Sequence, residues 1–507
     1  MESKRDMGRV RNASRNIAFG YLGTIATAIM SFILRTVFIR YLNEQLLGVN
    51  SLYTDILALL SMTELGIGTA INFSLYKPIA EGNTEKVKSY LRLYRRAYHM
   101  IAVVVAVLGL ALTPFLKFLI RNPGNNTLRD LTLYYLIFLF NTVTSYFVAY
   151  KYSLVNAEQK NYIQTNILTL TKVVSVFLQI LVLIATKNFY AFLLTDAAVQ
   201  LLQKIFVSRY LDRRYPYLNE KNVTPLDAEE SNEVWTKTKA LLLHRIGDVA
   251  RLQTDTLIIS ALIEVAVAGM VSNYTLVIST ISNFANIIFN SVISSFGNLI
   301  ATESKEKQYE VFKVYRFLAQ WVYGFSFVGF FLLLTPLIRL WLGDAWVLPA
   351  SAISLLLIDY YFKGDRIVLS NFKTAAGVFE QDKYLALLQG VVNLVVSIAL
   401  VRVIGLPGIY VGTIVSGLIA NVTKPFIIYK NCFDRTAGAY FKDSVLYLFV
   451  LLLSLAVSYG SLQILPEGGV IGFLLGVVMV TVVFHVVFFA FFFRTEEFRY
   501  LRSKLPH

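Results

Sequence analysis

The chain is poor in most features that mark a soluble, catalytic or disulfide-stapled protein. It has one cysteine in 507 residues, Cys432, which excludes a disulfide framework. Four histidines and no Cys/His cluster leave no ligand set with metal spacing, and no cofactor is expected. No glycine-rich loop ending in Lys and Ser or Thr occurs, so ATP is not the direct energy source. Eleven prolines and 28 glycines are too few for a collagen-like or low-complexity chain. Charged residues make up 16% of the chain, where soluble domains carry about 25%.

What fills the space is apolar. Hydrophobic residues reach 56%, mean hydropathy is +0.59, and there are 37 Phe and 30 Tyr. The length alone would suggest three soluble domains at roughly 150 residues each, but no soluble interior holds that much apolar surface. An all-α polytopic membrane protein remains. Fourteen mainly apolar stretches of about 20 residues or more can be read between charged loops. The first covers residues 16–39 and the last two cover 445–465 and 470–493. A cleaved leader is not expected, because the first apolar run is long and no small-residue cleavage site follows it.

The formal charge of +15 would raise the question of nucleic acid in a soluble protein. Placement decides otherwise. Of 47 Lys and Arg, 37 fall on one set of alternate loops and seven on the other, while Arg35, Lys172 and Arg251 lie inside spans. By the positive-inside rule both termini and the long loop at 212–239 face the cytoplasm, and no nucleic-acid partner is implied.

The chain also repeats itself. At an offset of 221, Gly48, Ser51, Tyr53 and Thr54 match Gly269, Ser272, Tyr274 and Thr275; Ile79, Ala80, Glu85, Lys86, Tyr94 and Arg95 match Ile300, Ala301, Glu306, Lys307, Tyr315 and Arg316. Such matching points to two copies of a six-helix unit, in parallel orientation because six is even. The expected organisation is an N-lobe at 1–210, a cytoplasmic linker at 211–239 with acidic Asp227, Glu229 and Glu230, a C-lobe at 240–430, and two added helices with a cytoplasmic tail at 431–507. The added helices should pack outside the lobes, with substrate between the lobes. The basic segments at 77–96 and 303–316 are expected on the inner membrane surface.

A central charge in hydrocarbon costs about 2.5 to 3.5 kcal/mol on insertion scales, so such residues face protein or water. Span seven carries His244, Asp248, Arg251 and Asp255 at helical spacing; span ten carries Asp359, Lys363, Arg366, Ser370 and Lys373. Span eight shows Ser279, Asn283, Asn286 and Asn290; span five shows Lys172 and Gln179; span six shows Asp196 and Gln200; span two carries Glu64, and span one Arg35. The regularity predicts one wet face per helix. Two readings compete. Arg251 with Asp255, or Asp359 with Lys363, can be i, i+4 pairs that only fix packing. Alternatively the stripes converge on a cavity for an anionic, hydroxyl-rich solute, which their spread over both copies favours. Gly66 and Gly68 read as close helix approach, and His485 as a structural residue without an acidic partner.

With these features in view, the run Leu47 to Tyr53, the Asp-Thr-Leu-Ile-Ile-Ser run from Asp255 and the Gly-Met-Val-Ser-Asn-Tyr run from Gly269 resemble the polysaccharide branch of the multidrug/oligosaccharidyl-lipid/polysaccharide exporter superfamily. The resemblance covers essentially the whole chain. It implies a bacterial inner-membrane flippase for an undecaprenyl-pyrophosphate-linked oligosaccharide repeat unit in capsule, exopolysaccharide or O-antigen assembly. It further implies alternating access, with H+ or Na+ as coupling ion and with membrane lipids, a polymerase and other assembly proteins as partners. In that frame Arg35, Lys172, Arg251, Lys363 and Arg366 attract the pyrophosphate and Asn283, Asn286 and Asn290 receive sugars. Glu64, Asp196, Asp255 and Asp359 become candidates for ion coupling. Fourteen spans also resemble lipid II flippases, in which the last two helices help to form a lipid groove. A multidrug exporter predicts a more aromatic or acidic cavity. A membrane-embedded polymerase or glycosyltransferase would need a charged outer loop, and the outer loops here are short.

Overall fold

The computed structural model describes residues 2–64, 67–220, 223–232, 234–236, 253–378, 381, 384–466 and 468–504. Among them every regular element is helical. Among the described residues eleven helices are long and apolar enough to cross a membrane, and they coincide with eleven of the fourteen stretches read from hydropathy. The other three differ for identifiable reasons. Span two is α2 (Glu44–Leu60), a 3₁₀ turn (Ser61–Glu64) and α3 (Ile67–Glu81), so no single helix covers it; Gly66 lies outside the described residues. Span ten is likewise broken at Arg366, between the helices Ala350–Asp365 and Ile367–Ala376. Most of span seven, with His244, Asp248 and Arg251, lies outside the described residues; its end is the short α8 (Thr254–Ile258) with a π turn (Ile259–Ile263).

In chain order the remaining long helices are α1 (Glu2–Tyr41), α4 (Thr84–Leu112), α5 (Leu128–Ala157), α6 (Asn161–Thr186) and α7 (Phe189–Arg214). After α8 come α9 (Val265–Ser291), α10 (Ile293–Thr302) and α11 (Lys305–Leu342), then α12 (Ala350–Asp365) and α13 (Ile367–Ala376). The chain ends with α14 (Leu385–Ile404), α15 (Leu406–Phe433), α16 (Gly438–Leu462), α17 (Gly469–Phe492) and α18 (Glu496–Lys504).

Two compact units result, residues 1–269 and 270–507. Their cores use the repeated residues alike. Tyr53 is fully buried and donates to Leu131 O at the start of α5, 2.8 Å away. Its repeat partner Tyr274 is equally buried and accepts from Leu348 N, just before α12, at 3.1 Å. The repeated glycines have a packing reason: a Cβ on Gly48 would strike Val265 O, and one on Gly269 would strike Glu44 O, so α2 and the start of α9 touch backbone to backbone.

The basic segments do not form separate surface helices. Residues 84–96 belong to α4 and residues 305–316 to α11, each continuous with the apolar span that follows. Helix propagation adds one hydrogen bond per residue, and no Gly or Pro interrupts either junction. The linker instead folds over α4. Lys88 pairs with Glu220 at 2.6 Å, Lys86 with Glu230, and Ser89 Oγ donates to Thr224 O at 2.6 Å.

Candidate functional site

In the first unit α6 packs against both α1 and α7, which gathers three of the predicted residues. Lys172 on α6 lies in electrostatic reach of Asp196 on α7 and Arg35 on α1. Ser175, one turn from Lys172, donates to Asp196 Oδ1 at 2.6 Å. Lys204, which looks like a loop cation in the sequence, is buried on α7 near Asp196 and donates to Asn141 O at 2.7 Å and Thr144 Oγ1 at 2.8 Å. Arg35, Lys172 and Asp196 themselves are half-buried, so the cluster is partly open.

Glu64 closes the 3₁₀ turn that ends α2. It faces the hydroxyls of Tyr98 and Tyr146, and Tyr146 donates to Ser61 Oγ at 2.8 Å. A carboxylate at a helix break, with donors supplied by α4 and α5, can hold a cation or a proton while its polar neighbours offset part of the desolvation. Asp255 is half-buried on α8. Beside it Thr256 hydrogen-bonds Asp55 of α2, a carboxylate that sequence reasoning missed. Arg251 lies outside the described residues.

In the second unit Asp359 and Lys363 form an i, i+4 pair at 2.5 Å. Asp359 is buried, whereas the Lys363 side chain is 40% exposed and stays reachable. Arg366 is 6% exposed and donates to Gly417 O at 3.2 Å and to Asn421, so its guanidinium is used inside the unit. On α9, Asn283 and Asn290 are exposed and Asn286 accepts from the Tyr323 hydroxyl at 3.2 Å. At 100° per residue, exposed Ile281 and Ile288 fall on the opposite side of α9 from Asn283 and Asn290. One face of that helix suits hydrocarbon and the other suits water.

Span ten does not have one wet face. Asp365 lies off the Asp359 stripe and is buried in a second network. Its Oδ2 accepts from the Tyr440 hydroxyl at 2.9 Å, Oδ1 accepts from Gln320, and Arg316 stands 3.7 Å away. Arg316, 2% exposed, also donates to Ser444 Oγ at 2.6 Å and stacks 3.6 Å above the Tyr440 ring. The periodicity argument passes over Asp365 because it is off the stripe, and over Arg316 because that residue sits at the end of a basic segment. The available signal was a carboxylate inside an apolar run, which needs a partner wherever it points.

The added helices α16 and α17 pack against α11. With α11 they border an open pocket of about 790 Å³ lined by Leu332, Leu333, Leu462 and Phe473, with Arg339 on its wall.

The fold and these sites define an all-helical, multi-pass membrane protein with charged side chains paired within its helical units. Among solved structures the chain shares its fold with the lipid II flippase MurJ in an inward closed conformation: TM-score 0.70, 14% identity, 94% of this chain and 99% of that one. It is also similar to an inward-facing multidrug resistance MATE family transporter of the MOP superfamily, at TM-score 0.63 and 12% identity over 82% of this chain and 96% of that one. A mutant form of the Vibrio cholerae MATE transporter VcmN matches at TM-score 0.56 and 16% identity, over 86% of this chain and 100% of that one. No family model matches the chain, and no curated protein matches it in sequence.

Proposed function

We propose that this protein is a flippase that moves an undecaprenyl-pyrophosphate-linked oligosaccharide repeat unit from the inner to the outer leaflet of a bacterial cytoplasmic membrane, with both termini cytoplasmic. Transport is by alternating access coupled to H+ or Na+, and the product feeds capsule, exopolysaccharide or O-antigen assembly. The observation that carries the reading is the extent of the likeness: the match to a lipid II flippase spans 94% of the chain, whereas the multidrug transporters match 82% and 86%. The open pocket bordered by α11, α16 and α17, with Arg339 on its wall, offers space for a lipid chain beneath an anionic head group. Arg35, Lys172 and Lys363, each partly exposed, are the cations assigned to pyrophosphate. Arg251 shares that role, and Arg366 supports it by fixing α12 on α15. Asn283, Asn286 and Asn290 offer amides to sugar hydroxyls, while Glu64, Asp196, Asp255 and Asp359 carry the coupling ion.

The second reading, a lipid II flippase, is favoured by the name of that same structural neighbour. The two part in one experiment. The protein is expressed in a strain lacking its repeat-unit flippase and, separately, in one depleted of its lipid II flippase. Surface glycan restored in the first strain and no growth rescue in the second is the expected result; the reverse establishes the second reading. Rescue of neither, with resistance to drugs gained, overturns both. Arg35→Ala, Lys172→Ala and Lys363→Ala should each lower export at equal membrane abundance. Normal export by all three, and by Arg251→Ala, removes the pyrophosphate assignment.

A further inference from the structure

Arg95 and Arg316 are repeat partners, and each follows a tyrosine, Tyr94 and Tyr315. Arg316 is saturated: two carboxylates stand within 4 Å, Asp365 at 3.7 Å and Asp443 at 3.5 Å, Ser444 accepts from it, and the Tyr440 ring lies flat against it. Three of those four partners come from α16, which has no counterpart in the first copy. Arg95 therefore holds the same position without the groups that satisfy it.

It opens instead onto a cavity of about 450 Å³ at the start of α4. Lys88, Arg92 and Arg95 follow 4, 3 spacing and form one wall; Tyr150 of α5, Tyr217 and Glu220 form much of the rest. Lys88 is neutralised by Glu85 at 2.5 Å and Glu220 at 2.6 Å. Arg92 donates to Val223 O, and Arg95 is exposed with no carboxylate partner among the described residues. Burial and the nearby charge of Glu158 push the Tyr217 hydroxyl up to about 12, so it stays neutral at pH 7. Two guanidiniums are thus left uncompensated in a walled cavity. On the same face of α4, further along, Val103 and Leu110 are 62% and 55% exposed.

We propose that this cavity is a binding site for a phosphate group, held by the Arg92 and Arg95 guanidiniums. A guanidinium fork matches phosphate oxygens in bidentate geometry, and two of them one turn apart can share one anion. The volume leaves room for what the phosphate is esterified to. That group is the headgroup of an anionic lipid, whose chains would follow Val103 and Leu110, or a soluble phosphate ester. The site is independent of the transport reading, since it uses none of the residues assigned to substrate or ion.

Purified full-length protein in neutral detergent tests it, with binding read by thermal shift and by titration against phosphatidylglycerol, phosphatidylcholine, glycerol 3-phosphate and inorganic phosphate. The Arg92→Gln/Arg95→Gln double variant should bind at least about tenfold more weakly, because two charge-assisted contacts are lost. Arg96→Gln, a neighbour that does not line the cavity, should change binding less than about twofold. Phosphatidylglycerol binding alone identifies a lipid site; equal binding of glycerol 3-phosphate identifies a soluble ester. If no phosphate probe binds below about 10 mM, or if the double variant binds as the unchanged protein does, the proposal falls. Should the double variant aggregate on size exclusion, Arg95→Gln with rescue by Arg95→Lys gives the same reading. No readout depends on export, so failure here and failure of the flippase reading are separate results.

Discussion

The two copies place an arginine at the same point of the same helix and then treat it in opposite ways. Arg316 is enclosed by a carboxylate of α12 and by the ring, hydroxyl and carboxylate of α16. Arg95 is exposed at a cavity whose lining carboxylate among the described residues, Glu220, is already engaged with Lys88. A repeat conserves the path of the backbone, while the environment of a side chain depends on what the rest of the chain lays over it. The ion-pair stripes show the same contrast. In the first unit Arg35, Lys172 and Asp196 come from three helices and remain half-buried. In the second, Asp359 and Lys363 pair within one helix and Arg366 is drawn into the packing of α15.

The strongest way to break the comparison is Arg316→Ala. Removing one partner of a buried ion pair leaves Asp365 uncompensated and should cost about 3 to 5 kcal/mol. Arg95→Ala should cost within about 0.5 kcal/mol, as an exposed residue does. Thermal denaturation in one detergent compares them, and equal losses would mean that the two positions do not differ as described.

Next in size is the coupling carboxylate. Glu64→Gln keeps the shape of the side chain at the helix break but cannot carry charge, and reconstituted transport should fall at least about tenfold and lose its dependence on the ion gradient. Asp196→Asn, in the same unit, should lower transport less, since Ser175 still donates to the amide oxygen. Retention of gradient dependence by Glu64→Gln moves the coupling site elsewhere.

Within the Asp359 and Lys363 pair the asymmetry of exposure predicts asymmetric losses. Lys363→Ala should destabilise by about 3 kcal/mol or more, because it leaves the buried Asp359 carboxylate uncompensated, and it should also lower export. Asp359→Ala should cost less than about 1 kcal/mol, because the ammonium it leaves behind is partly in solvent. Similar melting temperatures for the two variants would show that the pair is buried or exposed as a whole.

The smallest effect belongs to the linker. Glu230→Gln removes a surface ion pair with Lys86 and should shift stability by about 0 to 1 kcal/mol, with the difference vanishing in high salt. A larger, salt-independent loss would show that the linker is part of the core of the first unit.

Much of this architecture is legible in the residues. Hydropathy located the eleven long helices found among the described residues, and the matched pair Tyr53 and Tyr274 are both fully buried in the structure. Of the amide stripe of α9, Asn283 and Asn290 are exposed and Asn286 is half-buried against Tyr323. What was not legible is partner choice. Lys204 looks like a loop cation and lies buried against Asn141 and Thr144; Asp365, one residue before Arg366, points into a different network. Helical spacing says which residues share a face, and nothing in it says which neighbour that face meets. The breaks at Glu64 and Arg366 escaped for a related reason, since an apolar run reads the same whether one helix or two traverses it.

Composition and period already place the chain in a membrane as an all-helical protein, relate its two halves, and put a few charges inside apolar runs. Both are summed along the chain and need no fold. Tertiary structure alone decided which charges are consumed and which stay open, as with Arg316 and Arg95. Electrostatic satisfaction depends on distances of about 3 to 4 Å between residues that can be more than a hundred positions apart, as Arg316 and Asp443 are, and only packing sets those distances.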